Sequence, residues 1–260
     1  MPRRVSIVIP AKNEEVSLGL VLEDLAATTR TLPAFDFEVL VVDDNSSDRT
    51  GELAAAHGAR VIRNSGPGGK GRALRLGFEQ ATGDVLLMMD ADYSHRAEEI
   101  PLLLAALKDQ VGLVIGSRVY GGSDEYTRIR ALGNVFLTFA LGMFLGRYLS
   151  DALNGLKAFR RDVFDDFTYS SKHFEIEIEL IANALRKGYR VVEVSSHERA
   201  RLGGEAKSRV IRHGTLFFWR IFFEWLRNKQ LIRSAARKPL AAQHALQQER
   251  PNPSSLGDVP

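Results

Sequence analysis

Asp90-Ala91-Asp92 is the triplet best suited to chemistry in this 260-residue chain. Its two carboxylates stand one residue apart, directly after the apolar run Val85-Leu86-Leu87-Met88-Met89. Hard divalent cations such as Mg²⁺ bind through one or two carboxylates and complete their shell with water and substrate phosphates. A surface turn uses the same residue types. The apolar strand ahead of the triplet favours a metal shared with a phosphorylated ligand.

Asp43 and Asp44 end a second apolar run. One of them can accept a hydrogen bond from a ring N–H of a nucleobase, and the other residues here, Ser46, Ser47 and Asp48, suffice to cap a helix. Gly68-Gly69-Lys70-Gly71 has the glycine content of a phosphate cradle. It lacks the Gly-x-x-x-x-Gly-Lys-Ser/Thr spacing of a P-loop, with Arg72 in the place of the hydroxyl. A turn close to a donor, with Lys70 in it, is the expectation. Arg118, Arg201 and Lys207 are candidate cations for phosphate.

These groups need a frame that gathers them. Val5–Ile9, Phe37–Val42, Ala59–Arg63, Val85–Met89 and Leu113–Ile115 read as strands. They alternate with helical patterns over Glu14–Thr29, Asp48–His57, Gly71–Ala81 and Ala97–Lys108. Such alternation predicts an α/β fold with a mostly parallel central sheet and helices on both faces. Ligands of these sheets bind beyond the carboxyl ends of the strands, and that is where the polar residues fall. Pro10 to Glu14, Asp43 to Asp48, Asn64 to Gly71, Asp90 to Asp92 and Gly116 to Arg118 each follow a strand. The second half predicts a hydrophobic helix over Ala131–Leu149, a short strand over Leu156–Phe159, a helix over Glu175–Arg186, a strand over Arg190–Val194 and an aromatic helix over Ile211–Leu226.

Composition narrows the function. With 45% hydrophobic and 26% charged residues, the chain has the make-up of a globular protein with a sizeable core. The net charge of +3 gives no ground for nucleic-acid binding. There is no cysteine, which excludes disulfides, thiolate metal sites and cysteine nucleophiles. The first residues show no secretory leader, so a cytoplasmic setting is expected. The uncharged stretch Ala131–Gly146 is shorter than the ~20 apolar residues a spanning helix needs.

Ile7-Val8-Ile9-Pro10 through Asn13-Glu14, Val42-Asp43-Asp44-Asn45-Ser46, Asp90-Ala91-Asp92-Tyr93-Ser94-His95, Gly116-Ser117-Arg118, Asp151 to Phe159 and Arg201-Leu202-Gly203-Gly204-Glu205-Ala206-Lys207 follow one another in an order that resembles the family 2 glycosyltransferases. The chain is most similar to their polyprenyl-phosphate branch, the dolichyl-phosphate mannose and glucose synthases. The resemblance implies a GT-A fold, expected over residues 1–233; the apolar helices near 128–149 and 208–228 read from their own pattern as interfacial, and the Ala-, Gln-, Pro- and Ser-rich residues 234–260 as a disordered polar tail. It implies that Pro10, Lys12, Glu14, Val42 and Asp44 line the nucleoside, and that Asp90 and Asp92 hold Mg²⁺ or Mn²⁺ on the diphosphate. Ser94 stands where some relatives carry a glutamine that reaches the metal. Arg118, Arg201 and Lys207 would bind phosphates. With Lys70 and Ala91 these make up the expected donor site. The expected catalytic set is Asp92, Arg118, Asp151, Arg201 and Lys207.

The implied reaction moves a hexose from a UDP- or GDP-sugar to a polyprenyl phosphate, with inversion. Asp90 to His95 looks like the mannose synthases and Gly69-Lys70-Gly71 like the glucose synthases. A phosphate acceptor is ionised near neutral pH and needs no strong base. An alcohol acceptor needs one, for which Asp151 is the candidate; its other role would be to orient a neighbouring cation. Arg128, Arg130 and Arg147 flank the first apolar helix, and Arg227, Lys229 and Arg233 follow the second, a pattern suited to peripheral membrane contact or, alternatively, to core packing or an oligomer interface. Three other readings compete: the same donor chemistry with a soluble or polysaccharide acceptor, a nucleotide-sugar-binding module without catalysis, and a nucleotidyltransferase, which would open with a glycine-rich loop in place of Pro10-Ala11-Lys12-Asn13-Glu14.

Overall fold

The computed structural model describes residues 3–125, 128–146, 149–165, 169–202, 217 and 219–227. The elements run β1 (Arg3–Ala11), α1 (Leu18–Arg30), β2 (Phe35–Asp43), α2 (Thr50–Ala56), β3 (Arg60–Arg63), α3 (Lys70–Gln80) and β4 (Val85–Met88). A 3-10 turn at Ala97–Glu99 leads into α4 (Ile100–Ala106). Then come β5 (Val111–Ser117), α5 (Arg118–Gly121), α6 (Arg128–Leu145), β6 (Lys157–Arg160), α7 (Arg161–Phe164), α8 (Ile176–Arg186) and β7 (Arg190–Ser195). A last helical segment covers 219–227.

The strands form one seven-stranded sheet in the order β3-β2-β1-β4-β6-β5-β7. β6 runs antiparallel to both of its neighbours, and every other pairing is parallel. The carboxyl ends of six strands and the first residue of β6 therefore share one edge. Side chains alternate between the faces, as the two-residue period of a strand requires. Val8, Leu40, Val42, Leu86, Met88, Leu113 and Ile115 pack on one side with α3, α6 and α8. Ile7, Ile9, Val41, Leu87 and Val114 pack on the other with α1 and α4. The expected sheet with helices on both faces is the one observed; the antiparallel β6 is the departure from a purely parallel order.

The start of the first helix moves. α1 starts at Leu18, not Glu14, because Leu18, Val21, Leu22 and Leu25 form its buried stripe while Val16 is exposed. The residues before it are held as a loop by α2's approach: the Glu14 amide donates to Thr50 Oγ1 at 2.8 Å and the Glu15 amide to Asp48 Oδ2 at 3.1 Å. Asp48 also accepts the Thr50 amide at 3.0 Å, so it ties the start of α2 to the loop after β1. Lys207, residues 211–216 of the expected aromatic helix and the tail at 234–260 lie outside the described residues. No helix among the described residues is long and apolar enough to cross a membrane.

Candidate active site

β1 lies between β2 and β4, so the strand order reverses beside it. This is the place where open α/β sheets bind ligands. The loops leaving β1 and β4 are stitched together there by Ser17 Oγ, which donates to the Ala91 carbonyl at 2.8 Å. Asn13, Asn45 and Tyr93, one in each loop after β1, β2 and β4, have positive φ. Asparagine tolerates this backbone, whereas for tyrosine it is strained by roughly 1–3 kcal/mol. The Tyr93 turn folds Ser94 back on Asp92, whose Oδ1 accepts the Ser94 hydroxyl at 2.6 Å and its amide at 3.1 Å.

Each aspartate of the triplet has a cation of its own. Lys70 Nζ lies 2.7 Å from Asp90 Oδ1, and Arg201 Nη1 lies 3.4 Å from Asp92 Oδ2. Lys70 is the first residue of α3. Gly69 ahead of it has φ +141°, and a Cβ there would stand 2.3 Å from the Lys172 carbonyl oxygen, so only glycine delivers the lysine to this point. Behind Lys70 lies a buried relay. Glu177 Oε1 is 3.4 Å from Lys70, and Glu177 Oε2 is 3.1 Å from Lys157 Nζ. Lys157, fully buried, also donates to the Asn154 carbonyl.

The backbone of Asp90 is fixed as well. Its amide donates to His95 Nδ1 at 3.1 Å, which leaves the ring proton on Nε2 to bond Asn154 Oδ1 at 2.9 Å. Asn154 Nδ2 reaches the Gly116 carbonyl at 2.6 Å, tying the end of β4 to the end of β5. Gly155 faces the carboxylate: a Cβ would come within 2.6 Å of Asp90 Oδ2.

Charge follows from these contacts. Burial opposes ionisation of Asp90, but Lys70 outweighs it and holds the carboxyl at about 2. Burial likewise opposes the charge on Lys70, and Asp90 and Glu177 raise it above the ordinary lysine value. Lys157 is lowered by burial, against the pull of Glu177. Burial works against Arg201 too, and Asp92 and Glu125 raise it.

The donor set fits a divalent cation shared with a phosphorylated ligand. It offers hard oxygens from two carboxylates, room beside Asp90 kept by Gly155, and cations nearby for the phosphate charge. No cluster of three or more His, Cys, Asp or Glu among the described residues would hold a metal without such a partner.

Residues 6–168 match the family model for glycosyl transferase family 2. The chain belongs to that family. The glycosyltransferase resemblance and the GT-A fold are thereby borne out. A dolichol-phosphate mannosyltransferase of Pyrococcus furiosus is 34% identical, over 78% of this chain and 59% of that relative. An uncharacterized glycosyltransferase of Mycobacterium tuberculosis is 30% identical, over 84% of this chain and 97% of that relative. The chain thus spans about three-fifths of the archaeal relative's length. Among solved structures, glucosyl-3-phosphoglycerate synthase of Mycobacterium tuberculosis, crystallised with Mn²⁺, UDP-glucose and phosphoglyceric acid, superposes with a TM-score of 0.67. It is 23% identical, covering 84% of this chain and 80% of that one, and shows the shared fold.

The other expected residues of this family 2 chain divide into two groups. Pro10, Lys12 and Glu14 stand at and just after the end of β1, and Ala91 is buried between the two aspartates. Val42 turns its side chain into the core, which leaves its backbone for any ligand. Asp44 accepts the Gly69 amide at 2.7 Å and Asn64 Nδ2 at 2.6 Å, so its carboxylate shapes the turn that carries Lys70. Arg118 is set against acids: its Nε and Nη2 meet the two oxygens of Asp151 at 2.7 and 2.9 Å, and its Nη1 meets Glu198 at 3.1 Å. Asp151 is fully buried and also accepts Asn134 Nδ2 at 2.7 Å. Burial opposes its charge, and the bonds from Arg118 and Asn134 lower it below the usual carboxylate range. Lys157 and Glu177 were not anticipated. A lysine inside the apolar run Leu156–Phe159 and a glutamate on the buried side of an apolar helix were the signals for them.

Proposed function

We propose that this chain moves a hexose from a UDP- or GDP-sugar to a polyprenyl phosphate at a membrane surface, with inversion and with Mg²⁺ or Mn²⁺. The carboxylate pair Asp90/Asp92 at the strand switch point, each oxygen pair met by a cation, carries this reading. The anomeric carbon loses its bond to the diphosphate oxygen and gains one to a phosphate oxygen of the acceptor, and the nucleoside diphosphate leaves with the electron pair. Asp90 and Asp92 would hold a divalent ion, which would neutralise charge on that leaving group, and Lys70 and Arg201 add positive charge where negative charge develops. Lys207 is a further phosphate cation on this reading. Pro10, Lys12, Glu14, the Val42 backbone and the loop shaped by Asp44 border the nucleoside.

The acceptor phosphate arrives ionised, so the protein's task is positioning. Asp151 suits that task. Both its oxygens are engaged by Arg118 and Asn134, and it serves as the anchor of Arg118 rather than as a proton acceptor.

Two adjacent helices support the lipid acceptor. α6 exposes Val135, Phe136, Phe139 and Met143, and the 219–227 segment exposes Trp219, Phe223 and Leu226. The helices touch through Phe144 and Trp225, whose rings lie 5.5 Å apart, so the two apolar stripes neighbour each other. Aromatic stripes of this kind suit a bilayer interface, and the archaeal relative is named for a dolichol-phosphate reaction.

The test is transfer of radiolabelled sugar from a panel of UDP- and GDP-sugars to a short polyprenyl phosphate, with Mn²⁺ and with a chelator. Chelator-sensitive labelling of the lipid from one donor is the expected result. Donor turnover with no labelled lipid sinks the acceptor assignment and turns the search to soluble phosphate or hydroxyl acceptors. Flotation with anionic liposomes tests the apolar stripes separately, and protein left wholly in the aqueous fraction would count against membrane contact.

A further inference from the structure

We infer that Lys70 and the divalent cation compete for Asp90, with Glu177 as the second anchor that receives Lys70 when it leaves, so that metal binding is coupled to nucleotide binding. The inference rests on the donor reading above and deepens it. Lys70 Nζ sits 2.7 Å from Asp90 Oδ1. A metal coordinated to this carboxylate would stand about 2.0–2.6 Å from its oxygen, within a few ångströms of the ammonium, and the repulsion between the two cations opposes joint occupancy. Glu177 gives the ammonium somewhere to go: its Oε1 is already 3.4 Å away, with the Phe174 ring centroid at 5.1 Å. Lys157 fixes Glu177 by its other oxygen, at 3.1 Å, and keeps that anchor in place.

Charge explains the coupling. Asp90, Asp92, Glu125 and Glu177 face Lys70, Lys157 and Arg201, so four carboxylates meet three cations and one negative charge is left. A divalent ion alone would turn that to one positive charge in a site only partly open to water. The diphosphate of a donor brings the anions that reverse it. Lys70 is thus a positioning residue that makes the nucleotide a condition for tight metal binding.

Mn²⁺ binding to the full chain, read from the electron paramagnetic resonance signal of free Mn²⁺, tests this without turnover. It is measured with no nucleotide, with UDP and with GDP, for wild type, Lys70→Met, Lys70→Gln and Glu177→Gln. Without nucleotide, either lysine variant should bind Mn²⁺ about tenfold more tightly than wild type, a coupling of ordinary size. Nucleotide should then add less than it does for wild type. Glu177→Gln should bind Mn²⁺ more weakly than wild type, since Lys70 then has Asp90 alone. Opposite signs separate competition from general damage, which would weaken all the variants. Nucleotide-free Mn²⁺ affinity that is unchanged or lower in both lysine variants, with thermal melts showing them folded, overturns the inference. Wild type whose Mn²⁺ binding responds to neither nucleotide overturns instead the donor reading, whatever the lysine variants do.

Discussion

Two acid–cation pairs sit on the same edge of the sheet, one after β4 and one after β5, and they are built for opposite ends. Asp90 and Lys70 keep 28% and 13% of their side-chain surface in solvent, and Gly155 leaves space against the carboxylate. Asp151 has none exposed, and its oxygens take Arg118 at three points and Asn134 at a fourth. Its own amide and that of Ser150 are held by Glu193 at 2.7 Å each. The open pair can exchange partners; the closed pair cannot do so without leaving a buried charge bare. Residue type alone does not distinguish a reacting carboxylate from a structural one. The number of donors already aimed at it does.

The largest effect should fall on activity at the open pair. Asp90→Asn keeps the shape but removes the charge that would face the proposed metal and diphosphate. Loss of one such electrostatic group costs about a thousandfold in rate, and single-turnover sugar transfer should show it. Asp151→Asn, assayed per folded molecule, should lose less than about tenfold if Asp151 only anchors Arg118. A loss at Asp151 equal to that at Asp90, with donor binding intact, would erase the distinction and restore Asp151 as a base. Stability should reverse the ranking. Asp151→Ala removes the acid that meets Arg118 Nε and Nη2 in a buried site, and breaking a buried pair from one side costs about 3 kcal/mol or more. Urea denaturation should show that drop, and a smaller one for Asp90→Ala, whose Lys70 retains Glu177.

The open site was legible because its residues are contiguous and follow apolar strands. Pro10 to Glu14, Asp43 to Asp48 and Asp90 to Asp92 each mark a strand end, and period-two patterning places those ends on one edge. The relay behind it was not legible. Lys70, Glu177 and Lys157 come from the start of α3, the first turn of α8 and the start of β6, and only the folded sheet brings them together. β6 hid its direction for a similar reason: a four-residue strand carries no mark of running antiparallel. The cationic roles expected of Arg118 and Arg201 came from sequence position and the family resemblance, and Asp151, Glu198 and Glu125, the acids that hold those guanidiniums, lie far off in the chain.

Acid sharpens the comparison next. A carboxyl held at about 2 in the folded chain, against an ordinary value near 3.9, favours folding at every pH above the unfolded value and loses that contribution as pH falls through the folded one. For Asp90 the window is therefore about pH 4 down to pH 2, and the contribution about 2 kcal/mol. The difference in urea midpoint between wild type and Asp90→Asn should shrink across it. Asp151 is depressed in the same direction, so its part is lost the same way. Salt should separate them. The partly solvated Asp90–Lys70 pair is screened at about 1 M NaCl and the enclosed Asp151–Arg118 pair much less. Equal salt sensitivity of the two would mean that the difference in enclosure has no energetic weight.

The smallest effects come from one methyl group at each pair. Gly155→Ala would put a Cβ 2.6 Å from Asp90 Oδ2 and 2.9 Å from His95 Cε1, so the carboxylate or the ring must move. A misplaced carboxylate at the proposed metal site should cost about tenfold in transfer rate, since small displacements of reacting groups are felt steeply. Gly133, beside the Asn134 that bonds Asp151, has nothing within 4 Å of its would-be Cβ and lies inside α6. Gly133→Ala should leave the rate unchanged and stabilise the fold by about 0.5–1 kcal/mol, the helix preference of alanine over glycine. The two variants differ from wild type by the same atoms. If Gly155→Ala transferred sugar at the wild-type rate, Asp90 would have slack to absorb a methyl group, and the open pair would owe its role to charge alone rather than to the position at which Gly155 and His95 hold it.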